Sequence, residues 1–537
     1  MIQSPVKALM VTLFVLFLGY GLFLPHYPVV NADELWETSR GYYLKTHHRP
    51  GEPLLPESVA PFYSSIGNMG WKSWCILTVK TGTFAAMMTV LPVDELSAMR
   101  YGMFFWSLLF LFLTYLLARK LKVEKWPSML AVALMLFVPD FFAQIHRERS
   151  EILIGACLLA GLLLFLKGRD SEKKSEKLLW YFIAGLFSWM PSLLIHPSAI
   201  LIPGVIGVLY LVYERKNLFS FQTIILGIGL AGGAIFFLYI MNAMKEYAIA
   251  AGGGNYFQYQ GPPILMKGWK YLISLPYAFY NRFLPANILS RPVSFVFYAF
   301  AFVLILLGLK KKNNFFTGEM LTIGGVSILV SLAVLYLLSG SFGNYNVIIL
   351  PFVTIFIAER LSNWNVPSQQ KTWIPVAVLL LLFFSNIPGF AEDGRNAKEY
   401  SRLTSRVQEK VDRNSPILGL ALYYNPFKDN TYYSNSWFNP YAGRIEQSFD
   451  DAVKVLGVKY VIVDDAFVGR ALLDRGRGWT DSMFVTLQTK GEVVDSFPAN
   501  YFVGNRVPAP SFFPDYWRYD GQEKAHIRLV KIYHLKD

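Results

Sequence analysis

Eleven apolar segments constrain this chain more than any other feature. They cover residues 8–24, 97–118, 127–145, 150–166, 178–195, 197–213, 219–241, 293–309, 320–338, 344–361 and 373–390. Each is near the ~20 residues a helix needs to cross about 30 Å of hydrocarbon. Hydrocarbon offers no partner to a bare backbone, so such segments must be helical. The loops between them set an orientation. With the N-terminus inside, the inside loops hold Arg119, Lys120, Lys122 and Lys125; then Lys167, Arg169, Lys173, Lys174 and Lys177; then Arg215 and Lys216; then Lys310, Lys311 and Lys312; then Arg360 and Lys371. Every inside loop is basic, as the positive-inside rule requires. An odd number of crossings leaves residues 391–537 outside.

Composition agrees. The chain is 54% hydrophobic and 16% charged, too apolar for a soluble protein of 537 residues. Its net charge is +13. Residues 391–537 hold 20 Lys/Arg and 19 Asp/Glu, contributing +1, so +12 belongs to the membrane portion. That distribution reflects membrane orientation and not nucleic-acid binding. The two cysteines, Cys75 and Cys157, support neither a disulfide nor a zinc cluster. The fold class expected is a polytopic α-helical membrane protein of about eleven helices with a C-terminal soluble α/β domain on the outer side. Its domains are 1–390, including external loops 25–95 and 242–292, and 391–537. Residues 8–24 read as an uncleaved helix; the rival reading ends a signal peptide at Val30-Asn31-Ala32.

The external parts carry the chemistry. Asn31-Ala-Asp-Glu-Leu-Trp-Glu-Thr-Ser-Arg-Gly41 follows the first segment directly. Helical spacing puts Asp33 and Glu37 on one face, with Glu34 beside them. Such carboxylates can act as bases or metal ligands, or be plain loop charges. The rest of loop 25–95 is rich in proline and aromatic residues, and residues 73–90 suit an interfacial helix. A second loop reads Asp-Phe-Phe-Ala-Gln-Ile-His146-Arg147-Glu148-Arg149-Ser150, followed by Glu151. Ser150 suits an N-cap and Glu151 the positive end of a helix. Two arginines outside a positive-inside protein call for an anionic partner, such as a phosphate or the acidic loop at Asp33. The third loop, 242–292, has glycines at 252–254, an aromatic belt and the cations Lys267, Lys270, Arg282 and Arg291. It reads as an interfacial anchor or as a lid. His196-Pro197 and Asn344-Tyr345-Asn346 open outside helix ends. In the C-terminal part, residues 417–423 and 459–463 read as strands and 449–456 as a helix. Asp464-Asp465 reads as a loop cap. No Walker loop, H-E-x-x-H or G-x-S-x-G motif with membrane context occurs.

Taken in order, these pieces resemble the GT-C superfamily of membrane glycosyltransferases, and within it the protein O-mannosyltransferase and lipid A aminoarabinose transferase families. Asp33-Glu34 matches that group's Asp-Glu motif after the first helix. Ala60-Pro61-Phe62-Tyr63 matches its Pro-Pro-Leu-Tyr segment with one proline missing. Asp94-Glu-Leu-Ser-Ala-Met-Arg100 with Thr114-Tyr-Leu-Leu-Ala-Arg-Lys120 is similar to its second helix. Arg149-Ser150-Glu151 resembles Arg-Pro-Asp/Glu, and Asn344-Tyr345 with Leu350-Pro351 resembles a late Arg-Tyr-x-x-x-Pro pattern without the arginine. The likeness covers residues 1–390.

The resemblance implies inverting transfer of a sugar from a polyprenyl-phosphate-linked donor to a hydroxyl on a lipid, glycan or protein, outside the plasma (inner) membrane. It implies Asp33 as base with Glu34 as companion, and Glu151 as second acid. Arg147, Arg149, Arg282 and Arg291 would answer the leaving phosphate, with His196 and Tyr345 as further contacts. A divalent cation, where used, would meet Asp33 and Glu151. Two other readings remain open: a lipid transporter or flippase, and a non-catalytic envelope scaffold. A transporter would place charge or broken helices at mid-membrane and show an internal repeat. Here the ionisable residues cluster at helix ends.

Overall fold

The computed structural model describes residues 4–23, 32–51, 53–54, 78–147, 149–217, 219–250, 292–310, 316–339, 344–363, 367–444, 447–502 and 526–536. They fall into two compact units. The first takes in Met1–Leu24, Tyr101–Ile240 and Gly261–Pro388; the second takes in Pro25–Arg100, Met241–Gln260 and Gly389–Asp537.

The helices run α1 Ser4–Phe23, α2 Ala32–His47, α3 Thr78–Val90, α4 Glu95–Lys120, α5 Lys125–Leu136, α6 Pro139–Phe142, α7 Ser150–Asp170, α8 Lys174–Leu194, α9 Leu201–Tyr213 and α10 Phe221–Ala250. After them come α11 Pro292–Lys310, α12 Gly318–Ser339, α13 Leu350–Ser362, α14 Ser368–Phe384 and α15 Ile387–Lys410. Each of the eleven expected segments overlaps helix, although 127–145 and 373–390 are each divided between two helices, the latter between α14 and α15 at residues 385–386. Six of the helices are long and apolar enough to cross a membrane, and the chain is an integral membrane protein. The remaining apolar helices are shorter, and prolines explain much of this, whereas α15 is long but polar. The expected span 127–145 is two helices, because the chain leaves α5 at Phe137 and Pro139 starts α6. Likewise, 3₁₀ turns at Pro197–Ile200 and Asn344–Ile348 take the first residues from α9 and α13.

In the first unit, α1 shows how lipid and protein divide a helix. Val6, Met10, Leu13, Phe17 and Gly21 are buried at spacings of three and four, while Val11, Val15, Leu16 and Phe23 are exposed. Exposed apolar residues also cover α10 and α11, as a lipid-facing surface requires. Helices α8 and α10 cross closely at Gly185 and Gly229, where a Cβ on Gly229 would lie 2.8 Å from the Phe182 carbonyl oxygen. Residues assigned to inside loops meet at shared helix ends. Lys7 lies over the Trp126 ring, Lys120 pairs with Asp170 at 2.8 Å, Arg169 pairs with Glu319, and Lys177 pairs with Glu214 at 2.7 Å. These contacts join the N-terminal ends of α1 and α5, the C-terminal ends of α4 and α7, the end of α7 to the start of α12, and the start of α8 to the end of α9.

The second unit holds more structure than its sequence suggested. Most of the loop expected over 25–95 that can be described is helix, α2 and α3. A five-stranded sheet has the order β2-β1-β3-β5-β4. Strands β1 Ile417–Gly419, β2 Tyr432–Ser434 and β3 Tyr460–Asp464 are parallel; β4 Gly491–Phe502 and β5 His526–Leu535 complete it antiparallel. The strand expected over 417–423 stops at Gly419 and turns into a 3₁₀ turn at Ala421–Tyr423. Helix α15 buries Asn396, Tyr400, Leu403 and Val407 on one stripe. Helices α16 Asn435–Arg444, α17 Phe449–Val455 and α18 Asp465–Lys490 complete this part, with Ser448 capping α17 by accepting from the Asp451 N–H.

Candidate functional site

The acidic stretch after the first apolar segment is the helix α2, and two stripes of contacts hold it. The first runs Glu34, Thr38, Tyr42, four residues apart. Glu34 is fully buried, and its Oε2 lies 3.6 Å from Nη2 of the equally buried Arg100, an ion pair beyond hydrogen-bond length. Thr38 Oγ1 donates to the Glu34 carbonyl at 2.6 Å and lies 3.2 Å from Met99 Sδ. Tyr42 Oη donates to Asp429 Oδ1 at 3.0 Å. The second stripe runs Glu37, Gly41, Lys45, and α3 holds it. Glu37 Oε1 lies 3.1 Å from Lys80 Nζ and 3.2 Å from Arg40 Nη1. Gly41 allows close approach, since a Cβ there would sit 3.1 Å from Phe84 Cβ. Lys45 Nζ donates to the Met88 carbonyl at 3.0 Å.

Asp33 is the second residue of α2, so its backbone stands in the first turn, at the positive end of the helix dipole. Its side chain lies outside the described residues. At the start of α4, Asp94 accepts from the Ser97 N–H and hydroxyl at 3.0 and 2.6 Å. Arg100, Glu34 and Asp94 all act electrostatically on Tyr400, whose hydroxyl pKa is raised chiefly by burial. That hydroxyl donates to the Leu422 carbonyl at 3.2 Å.

The first unit holds the other predicted group. Arg149 Nη2 donates to Glu151 Oε1 at 2.8 Å, and Glu151 is buried. Arg149 itself occupies the N-cap position of α7 in an extended conformation, without a side-chain cap bond. The expected N-cap, Ser150, is instead the first helical residue. Arg147 is buried, its N–H donating to the Gln144 carbonyl, and Asp140, Gln144 and His146 are buried too. His146 stacks against Tyr20 and Phe104 at ring separations of 4.8 and 5.9 Å. The turn Asn344–Ile348 packs against α6 and α7, the two helices that flank Arg147 and Arg149 in sequence. The Tyr345 side chain lies outside the described residues, as do Arg282 and Arg291. The expected anchor or lid over 242–292 lies outside them too, apart from the last turns of α10. His196 caps its own 3₁₀ turn, with Nδ1 accepting from the Ser198 N–H at 3.2 Å. Among the described residues, no group of three or more His, Cys, Asp or Glu is placed to hold a metal ion.

Asp464-Asp465 works as a cap. Asp464 is buried, accepting from the Phe467 N–H at 2.7 Å and the Tyr423 hydroxyl at 2.6 Å. Asp465 Oδ2 accepts from the backbone of Arg528 and Leu529 in β5, at 2.6 and 3.2 Å.

Sequence reasoning assigned no role to Lys80, Asp140 or Gln144, and gave Arg100 none beyond its place in a motif. Lys80 carried a signal: a lone cation in an otherwise apolar stretch must find a partner once buried.

No family model matches the sequence, and no curated protein matches it. The fold does match solved structures. ArnT from Cupriavidus metallidurans bound to undecaprenyl phosphate is 13% identical with a TM-score of 0.58, covering 96% of this chain and 97% of that one. The same protein in the apo state gives 13% identity and a TM-score of 0.55, covering 98% and 97%. An oligosaccharyltransferase from Archaeoglobus fulgidus, in the apo form, is 12% identical over 88% of this chain and 70% of that one, with a TM-score of 0.49 too low to weigh. The chain thus shares the fold of that ArnT over nearly its whole length.

Proposed function

We propose that this protein is an inverting glycosyltransferase. It moves a sugar from a polyprenyl-phosphate-linked donor to a hydroxyl of a lipid, glycan or protein on the extracytoplasmic face. The observation that carries this reading is the end-to-end fold match to ArnT holding undecaprenyl phosphate. An acidic helix directly after the first apolar helix adds to it.

In this reading Asp33 takes the proton of the acceptor hydroxyl. The freed oxygen attacks the anomeric carbon on the face opposite the phosphate. The carbon–oxygen bond to phosphate breaks, its electron pair stays with the phosphate, and polyprenyl phosphate departs. Phosphate already leaves well, so the chemistry needs oriented cations more than an acid. Arg147 and Arg149 supply them, Arg149 being aimed by Glu151; Arg282 and Arg291 add to the clamp, and Tyr345 contacts the substrate. Glu34, buried against Arg100, sets the first turn of α2 and so acts through Asp33. His196, engaged in its own turn, shapes the helix entry beside the substrate. The basic helix ends that meet in the first unit support a cytoplasmic N-terminus and an extracytoplasmic C-terminal domain.

Asp33→Asn tests the reading. The protein in lipid nanodiscs, given a polyprenyl-phosphate-linked sugar and candidate acceptors, should transfer, and the variant should lose about 10²–10⁴-fold in rate with its unfolding midpoint unchanged. An Asn variant as fast as wild type would overturn the base assignment. Donor crossing the bilayer without transfer would favour a transporter.

A further inference from the structure

We propose that Lys428 and Asp429, on one turn of the C-terminal domain, are positioning residues that fix the rotation of α2 and thereby the place of Asp33. This rests on the glycosyltransferase reading above.

The turn follows the short 3₁₀ segment Asn425–Phe427 and presents opposite charges on adjacent residues. Asp429 accepts from Tyr42 on α2 at 3.0 Å. Lys428 pairs with Glu95 in the first turn of α4, and its Nζ lies 5.1 Å from the centroid of the Tyr42 ring. One turn therefore grips two elements at once. Close by, the Ser434 N–H donates to the Leu54 carbonyl at 3.0 Å, and the turn Ala421–Tyr423 packs on α2.

A single exposed ion pair is worth only about 0–1 kcal/mol and would not justify a role by itself. The stripe pattern is what gives this one meaning. Glu34, Thr38 and Tyr42 lie on one face, held at its N-terminal end by Arg100, in the middle by Met99 and at its C-terminal end by Asp429. Glu37, Gly41 and Lys45 are held by α3 on the adjacent face. Asp33 shares the first turn with Glu34 and stands one turn before Glu37, so the place of its backbone follows the rotation of α2 between the two stripes. A side chain tip sits about 5–6 Å from a helix axis, so a rotation of ~10° moves it by about 1 Å. An error of that size can cost on the order of 10²-fold in rate.

The test uses the full chain in nanodiscs. Lys428→Glu and Asp429→Ala should each lower kcat about 10- to 100-fold, with the KM for the polyprenyl-phosphate-linked sugar unchanged. Amide hydrogen exchange along α2 should rise in both. Joining Lys428→Glu to Glu95→Lys should restore kcat and protection together, which loss of overall fold would not allow. If wild-type protein transfers sugar while both variants keep their kcat, or while α2 protection is unchanged, the positioning role is wrong and the glycosyltransferase reading stands. If wild-type protein transfers nothing to any acceptor, that reading fails and takes the positioning role with it.

Discussion

Asp464 offers a pH experiment whose sign is fixed by its surroundings. It lies at the end of β3, buried, with a tyrosine hydroxyl and a backbone amide as donors. Burial pushes its carboxyl from the ordinary 3.8 up to about 6, against the pull of the two hydrogen bonds. A raised pKa means the folded protein holds this proton where the unfolded chain has lost it. Stability from this group is therefore full below about pH 4 and is lost as pH rises through 6. The gap of about two units corresponds to roughly 3 kcal/mol. Asp464→Asn keeps an acceptor oxygen for the Tyr423 hydroxyl or the Phe467 N–H but never ionises. The variant should be more stable than wild type at pH 8 by about 1–3 kcal/mol, the lower figure allowing for weaker, uncharged hydrogen bonds. Between pH 5 and 4 the advantage should vanish. Chemical unfolding of the detergent-solubilised protein, followed by tryptophan fluorescence at pH 4, 5, 6, 7 and 8, measures the difference. A constant difference between variant and wild type across that range would refute the burial argument. So would an advantage that grows on acidification.

Two further outcomes follow from packing and charge. Arg100→Met removes a charged partner of the buried Glu34 carboxylate and should cost about 3–5 kcal/mol, whereas Arg100→Met with Glu34→Leu should recover most of that loss in thermal unfolding. Gly229→Ala drives a methyl against the Phe182 carbonyl and should lower stability by about 1–3 kcal/mol. Gly227→Ala, with nothing within 4 Å, should not.

The periodic features of this fold were legible because membrane burial leaves them no alternative. Lipid forces backbone into helix wherever the chain is apolar for long enough. Helix breaks were harder to read. Residues 127–145 look continuous by hydropathy, but Pro139 starts a new helix there. Strands β4 and β5 were missed because they alternate weakly and Pro498 interrupts the pattern. Of the candidate site, the acidic residues of α2 and the Arg149–Glu151 pair were visible as charges in unusual places. Their partners were not. Arg100 meets Glu34 across 66 positions, and Asp429 meets Tyr42 across 387. No local pattern encodes such meetings, and only the folded chain supplies them. His196 shows the converse, because its proline neighbour already hinted at the turn it caps.

The separation of Tyr42 from Asp429 also bears on how the protein is made. Helix α2 leaves the ribosome among the first elements, yet its distal partner follows 387 residues later. At ~5–20 residues per second that is a wait of about 20–80 s. Throughout that interval the acidic helix has α3 and the first turns of α4 beside it but lacks its last constraint. A chain ending before Lys428 therefore has every carboxylate of α2 but lacks the Asp429 contact to Tyr42. On the proposed reading, α2 gains its last contact only once Lys428 and Asp429 have been made.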